Sequence, residues 1–298
     1  LLGALGDPRV PGNEHARDIL LGLRFRLELY INFRPTRLFH PKLSPLRADR
    51  RTDGGSTAID FVIFRENTEG QYLGKGRSES IGTPDEVHVS EEINTRKGVA
   101  RIIEAAFAWA AAHGKTRVTM SDKSNAIQFQ RIWGRLFQEI GDRYPDIQRE
   151  HRYVDALALE LVREPERFQV IVTTNLYGDI LSDLGAGLIG GLGIAASANL
   201  HPGRPGLYEP VHGSAPPLVG KGVANPMATV LTGALMLEQL GCAAGAMKLE
   251  RAVERVVGAA RPVGAVGVVR KNCLRDRLVE DPVVHGPGRA CVLLYPVL

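Results

Sequence analysis

The sequence predicts an α/β fold with a mostly parallel sheet core, and three observations carry that expectation. Short apolar runs such as AIDFVIFREN (58–67), KTRVTMSDK (115–123) and FQVIVTTN (168–175) read as buried strands. Stretches with helical apolar spacing lie between them, TRKGVARIIEAAFAWAAAHG (95–114) being the clearest. Strand and helix alternate along the chain, which is the pattern of parallel strands joined by helical crossovers.

Taken in order, residues 14 to 28 carry helical spacing, and LYINFRP (29–35) turns extended before Pro35. Residues 36 to 56, rich in Pro, Arg and Gly, read as loop. DEVHVSEEI (85–93) alternates polar and apolar positions, as in a hairpin-like arm. The helix at 95–114 is capped by Thr95 and stopped by Gly114. A strand (115–123) and a helix (127–142) follow. Residues 149 to 165 begin extended and become helical, and the strand at 168–175 comes next. The Gly-rich stretch 185–193 leads to a loop around HPGRPG. VANPMATVLTGALMLEQLG (223–241) is a long apolar helix with Pro226 in its first turn, where proline is tolerated. Residues 258 to 298 carry weak periodicity and no clean element.

Bulk properties narrow the function classes. A chain of 298 residues suits about two domains. Its 37 basic and 33 acidic side chains are interspersed, with no Lys/Arg run of the kind that binds nucleic acid. No apolar run approaches the length of a membrane span. Cys242, Cys273 and Cys291 lack CxxC spacing and are odd in number, so free thiols in a reducing compartment, the cytoplasm, are expected. The N-terminus lacks a signal-peptide pattern. LLGALG reads like the end of a buried strand, so the chain is expected to start partway into a domain.

Several residue types suggest chemistry. Asp179 and Asp183 stand four apart in TTNLYGDILSDLG, on one face if the segment is helical. Like charges so placed repel unless a cation or basic groups lie between them. A solvated helix face is one reading. The apolar neighbours Ile180, Leu181 and Leu184, and the position just beyond a buried strand, favour a hard divalent cation. Arg24, Arg34 and Arg65 lie where extended segments end. Their forks suit carboxylates, although each alone could be an ordinary surface arginine. Lys123 closes a strand and could move protons if burial shifts it. Tyr72 could donate a phenolic proton or simply pack. Asp155 opens a helix at YVDALA, where a first-turn acid is the plain alternative. EPVHGSAPPLVGKGVAN (209–225) is a Gly/Pro loop feeding a helix, able to bring backbone amides to a phosphate or nucleotide. It is not GxGxxG.

TTNLYGDILSDLGAGLIGGLGIAASANL, YEPVHGSAP and GKGVANPMATVL together resemble the β-decarboxylating dehydrogenases, which act on isopropylmalate, isocitrate, homoisocitrate and tartrate or D-malate. LGLRFRLELYINFRP, VIFRENTEGQY and SDKSNAI fall in that family's order, so the likeness spans most of residues 1 to 240. The resemblance implies an isopropylmalate/isocitrate dehydrogenase-like two-domain fold with an extended dimerisation arm. Residues 1–29 and 191–298 would form the nucleotide-binding domain, and residues 30–190 the substrate, metal and dimerisation domain.

The resemblance also implies roles. Arg24, Arg34 and Arg65 match the arginines that clamp substrate carboxylates, and Tyr72 and Lys123 the acid/base pair. Asp155, Asp179 and Asp183 match the aspartates of a Mg²⁺ or Mn²⁺ site. In the family the lysine and the first aspartate cross from a second subunit, which implies a homodimer. Glu209, His212, Gly213, Ser214, Ala215 and Asn225 match the cofactor loop. Lys123 would help to remove the hydroxyl proton of the small-molecule 2-hydroxy acid, and Tyr72 would return a proton to the carbon that loses CO₂.

Leu20 and Leu21 match the position that touches an alkyl group, which favours 3-isopropylmalate and leucine biosynthesis. RENTEGQY is closer to the isocitrate, homoisocitrate and tartrate enzymes, which stay as alternatives. Three departures stand out. The family's GDGIG turn is missing. Pro217-Leu218 occupies the place of the Asp typical of NAD users and of the Lys-Tyr pair of NADP-using isocitrate enzymes, leaving NAD as the default and NADP open. The tail lacks the Gly-Gly-Thr segment. They keep a second class in view, a non-catalytic relative that binds ligand without turnover.

Overall fold

The structure, a computed structural model, describes residues 1–5, 14–46 and 58–259. The expectations for the tail after residue 259 and for residues 47–56 of the 36–56 loop lie outside the described residues. Helix α1 (Glu14–Arg26) leads through Glu28, at a left-handed φ of 51°, into strand β1 (Ile31–Arg37). β1 continues through Pro35, where the sequence suggested an end. Its pairing with β8 (Ala196–Leu200) covers only Ile31 to Phe33, so it stops before the ring whose nitrogen cannot donate.

Among the described residues the main sheet has seven strands. β2 (Asp60–Glu66), β5 (Arg117–Asp122), β6 (Gln148–Tyr153) and β7 (Val170–Thr173) are mutually parallel, in the order β6-β5-β7-β2. β1 runs antiparallel to both β2 and β8, and β9 (Leu207–Pro210) antiparallel to β8. The four parallel strands and β8 therefore point the same way, which gives the mostly parallel core. β3 (Gly76–Glu79) and β4 (Val87–Ser90) form a separate, exposed hairpin where an arm was expected.

Alternation along the strands builds two cores. Val62, Phe64, Val118, Met120, Val170 and Val172 face helices α2 (Arg96–Ala112) and α3 (Arg131–Gly141). Phe61, Ile63 and Ile171 point the other way. They meet α4 (Val154–Arg163), α5 (Asn175–Leu188), the start of α6 (Met227–Gln239) and α7 (Ala243–Ala259). Helices on both faces exclude water from the parallel strands, as their near-continuous apolar runs require. Pro226 is the cap residue of α6 and lies just outside its first turn.

Three strands, β3, β8 and β9, and helix α7 have no counterpart in the sequence-based expectations. β8, AASANL in sequence, is made of small and polar residues, and β9 is only four residues long. Both flank the HPGRPG loop and lack a run of β-branched side chains. Cys242, just before α7, is an exposed free thiol; Cys273 and Cys291 fall outside the described residues. Among the described residues no helix is long and apolar enough to cross a membrane.

The cap of α2 agrees with the sequence. Thr95 Oγ1 accepts from Gly98 N at 2.9 Å and donates to Glu69 Oε1 at 2.6 Å, while Thr95 N donates to Glu69 Oε2 at 2.8 Å. Gly98 leaves room for that carboxylate, since a Cβ there would come within 2.2 Å of Glu69 Cδ. Thr95→Ala removes the cap and one partner of Glu69. A loss of about 1–2 kcal/mol in urea unfolding is expected, and an unchanged midpoint would show that Glu69 alone secures the helix start.

Candidate active site

The site grows from the ends of β1 and β2 and the first turns of α5. Thr174 caps α5, accepting from Tyr177 N at 3.3 Å, and starts the helix directly after β7. Gly178 lets α5 come close to β2: a Cβ there would meet Arg65 Cγ at 2.5 Å. Arg65, 3% exposed, then binds α5 with its whole fork. Its Nε and Nη2 donate to Asn175 Oδ1 at 3.0 and 2.8 Å, and its Nη1 donates to the Asp179 carboxylate. Tyr72 Oη donates to Asp179 Oδ2 at 2.7 Å, with the Arg65 guanidinium 5.2 Å from the centre of its ring.

These contacts set opposite fates for the two aspartates. Partial burial works against the charge of Asp179. Arg65, the Tyr72 hydrogen bond and Arg34 outweigh it and hold the carboxyl below the usual range. Asp183, one turn on, makes no hydrogen bond or ion pair among the described residues. Partial burial, and then the charge of Asp179, push its carboxyl up. Partial burial, and then its bond to Asp179, raise Tyr72 as well, so the phenol keeps its proton at neutral pH.

Arg34 sits in the middle of β1, not at its end, and is 7% exposed. Its Nε donates to Asn32 Oδ1 at 2.5 Å and its Nη1 to Ser182 Oγ at 3.4 Å. Both partners are neutral, and among the described residues no carboxylate bonds to it. Burial, followed by Arg65 and Arg24, lowers it to about 10. Arg24 lies in the last turn of α1, and its Nη2 donates to the buried Glu209 at 2.9 Å. Arg24 Nε is buried with no partner. Leu20 and Leu21, partly buried, lie one turn earlier on the same helix.

The structure thus brings Arg24, Arg34, Arg65, Tyr72, Asp179, Asp183 and Glu209 into one neighbourhood. Lys123 and Asp155 form a second one, with Lys123 Nζ 2.7 Å from Asp155 Oδ1. Asp155 is in the first turn of α4, and the hydrogen bond from Lys123 lowers its carboxyl. Gln130 accepts from Lys123 N at 2.7 Å and donates to Tyr177 Oη at 3.2 Å, tying the end of β5 to α5. Asp155 does not join Asp179 and Asp183 within one chain. Among the described residues no three His, Cys, Asp or Glu side chains gather as a metal group.

The 209–225 loop leaves β9 and reaches α6 as expected. His212 Nδ1 donates to Gly213 O at 3.1 Å, leaving Nε2 buried as an acceptor without a partner. Ser214 precedes Ala215, which holds a left-handed φ of 43° before a turn at Pro216–Leu218. Asn225 Oδ1 accepts from Met227 N at 3.0 Å, and a Cβ on Gly193 would lie 2.9 Å from Asn225 Cβ. Sequence reasoning passed over Asn32, Asn67 and Asn199, which bond to one another beneath the arginines. Single asparagines inside strand-like runs give no signal of their own.

Comparison with known proteins agrees with this arrangement. The family model for isocitrate/isopropylmalate dehydrogenase matches residues 1–267. A 3-isopropylmalate dehydrogenase of Beutenbergia cavernae is 44% identical over 257 residues, covering 85% of this chain and 72% of that protein. One from Streptomyces griseus is 44% identical over 275 residues, covering 90% and 77%. Among solved structures, the isocitrate dehydrogenase of Methylococcus capsulatus superposes with a TM-score of 0.76 at 40% identity, over 88% of this chain and 73% of that one. With buried arginines converging on a paired-aspartate helix, this sheet topology and these matches, the chain belongs to the isocitrate/isopropylmalate dehydrogenase family.

Proposed function

We propose that the chain oxidatively decarboxylates a 2-hydroxy dicarboxylic acid, 3-isopropylmalate in the first instance, with hydride transfer to NAD. The observation that carries this is Arg34, a buried guanidinium whose partners among the described residues are all neutral, beside Arg24 and Arg65. Such a cation is poised for an anion from outside. Leu20 and Leu21, one turn from Arg24, support an alkyl substituent over a third carboxylate. D-malate, tartrate and (homo)isocitrate are the alternatives.

The donor set fits a hard cation in part. Among the described residues Asp183 has no partner of its own, and the charge of Asp179 acts on its carboxyl; two carboxylates suit Mg²⁺ or Mn²⁺. Asp155, from the neighbouring subunit of a homodimer, would complete the set. Large exposed side chains on the turn and helices around the site support such a partner face: Phe129 at 83%, Leu159 at 58% and Ile180 at 57%. The proposed domain division, 1–29 with 191–298 and 30–190, places the boundary between β1 and β8. The 209–225 loop would take the dinucleotide through His212, Gly213, Ser214, Ala215 and Asn225.

When bound, the cation and the nicotinamide supply oxyanion stabilisation and hydride acceptance. The chain's own residues do the rest. Arg24, Arg34 and Arg65 hold the carboxylates and fix the reacting carbon. Lys123 of the neighbouring subunit takes the hydroxyl proton. Tyr72, kept protonated and aimed by Asp179, delivers a proton to the carbon that has lost CO₂.

The test is purified protein with Mn²⁺, NAD or NADP, and 3-isopropylmalate, D-malate, tartrate, isocitrate and homoisocitrate in turn. Reduced cofactor is expected with isopropylmalate and NAD. Absence of reduced cofactor with every acid sinks the enzyme reading and leaves the non-catalytic relative.

A further inference from the structure

Beneath the arginine cluster lies a closed network of three buried asparagines. Asn32 of β1, Asn67 just after β2 and Asn199 of β8 are 0%, 3% and 0% exposed. Asn32 and Asn199 are direct cross-strand partners, and Arg65 is the partner of Asn32 on its other side. Asn32 and Asn199 therefore share one rung of the sheet with Arg65.

Every amide hydrogen in the network has a receiver. Asn32 Nδ2 donates to Asn67 Oδ1 at 3.2 Å and to Asn199 Oδ1 at 3.0 Å. Asn67 Nδ2 donates to Leu29 O at 2.8 Å and to Asn199 Oδ1 at 2.9 Å. Asn199 Nδ2 donates to Leu207 O at 3.3 Å and to Glu209 Oε1 at 3.0 Å. The two ends fix the direction of the chain. Arg34 can only donate, so Asn32 must present its oxygen to Nε and its nitrogen to Asn199. A charged Glu209 can only accept, so Asn199 must present its nitrogen there. Glu209 in turn takes Arg24 Nη2. One continuous path runs Arg34–Asn32–Asn199–Glu209–Arg24, and Asn199 is its only member that touches both halves.

We infer that Asn199 is a positioning residue for the substrate clamp: its amide sets the spacing and orientation of Arg34 and Arg24, and so the bite for a dicarboxylate. This rests on the substrate class proposed above. Asn199, 0% exposed, lies below the two arginines and acts through them. A fully satisfied buried network of this kind specifies one geometry, and breaking its centre releases both ends.

The test uses two variants of the full-length protein. Asn199→Asp keeps shape and loses the donor toward Glu209. Asn199→Ser shortens the side chain and is the fallback should the first fail to fold. Each is expected to raise KM for 3-isopropylmalate by about 10- to 100-fold, the scale of a lost bond to a charged group, with kcat falling less. The pH profile separates positioning from bulk structure. In Asn199→Asp the carboxyl regains a donor when protonated, so the KM defect shrinks as pH falls, whereas Asn199→Ser shows a defect independent of pH. A lowered melting temperature with unchanged KM in both variants would overturn the inference.

A second readout needs no turnover. In ¹⁵N spectra of arginine-labelled protein the Arg34 Nε–H signal is expected to shift and to exchange faster in either variant. An unmoved signal overturns the inference. The substrate class is tested independently, because lack of turnover by the unmodified protein refutes that class and leaves the Arg34 signal to decide the role of Asn199.

Discussion

Asp183→Asn is expected to cut Mn²⁺-dependent turnover by at least about a hundredfold while leaving the melting temperature unchanged or slightly raised. The reasoning begins with what each aspartate touches. Asp179 is engaged by Arg65 and Tyr72, whereas Asp183 bonds to neither. The raised Asp183 carboxyl means that the folded chain binds its proton more readily than the unfolded chain does. Its ionised form therefore costs stability at neutral pH, and that cost fades as pH falls through the raised value. Removing the charge relieves the repulsion with Asp179. Only a bound cation makes that charge useful. Asp179→Asn is the contrast. It should lose turnover and stability together, because Arg65, 4% exposed at its side chain, then loses its anionic partner and keeps only neutral acceptors among the described residues. Turnover, Mn²⁺ titration calorimetry and thermal melts on both variants make the comparison. Full activity with unchanged Mn²⁺ affinity in Asp183→Asn would reduce the pair to a solvated helix face.

Much of this site was legible because its residues sit at punctuation points of the sequence. Asp179 and Asp183 follow an apolar strand, and the i, i+4 spacing placed both on one face of α5. Thr95 and Gly114 bracketed α2 by ordinary capping chemistry. What stayed hidden was set by tertiary contact. β8 carries Ser197 and Asn199 fully inside the sheet, a pattern no alternation rule recognises. Their burial is tolerable only because Glu209, Asn32 and Asn67 satisfy them from other elements. Arg34 was read as a strand-end residue because Pro35 suggested a stop, whereas β1 runs on to Arg37. Gly178 gives no signal in sequence, because the need for it lies in the close approach of Arg65, whose Cγ a Cβ there would meet at 2.5 Å. The separation of Asp155 from Asp179 and Asp183 also lies beyond sequence spacing. Spacing says which residues share an element and nothing about which copy of the chain supplies them.

Arg34→Met is expected to raise KM for 3-isopropylmalate by about 100- to 1,000-fold without lowering the urea midpoint, and the two halves of that result are linked. Among the described residues a buried guanidinium rests on Asn32 and Ser182 alone, and burial has pulled it down to about 10. Keeping such a charge out of water costs several kcal/mol, and its two bonds to neutral partners, one of them long at 3.4 Å, return no more than about 1.5–3 kcal/mol each. Methionine fills similar space without the charge. Stability then loses those two bonds, gains the avoided desolvation, and comes out level or higher. Binding of a dicarboxylate loses a bidentate, charge-assisted pair, at roughly 1.5–3 kcal/mol per bond. Arg34→Lys should fall between, since it keeps a cation but not the fork that reaches Asn32 and a ligand together. The pattern expected of a binding arginine is therefore a stable fold with a failed KM, graded from Lys to Met. A structural arginine predicts the reverse, a lowered midpoint with KM intact, and urea unfolding beside steady-state kinetics on the same preparations decides between them.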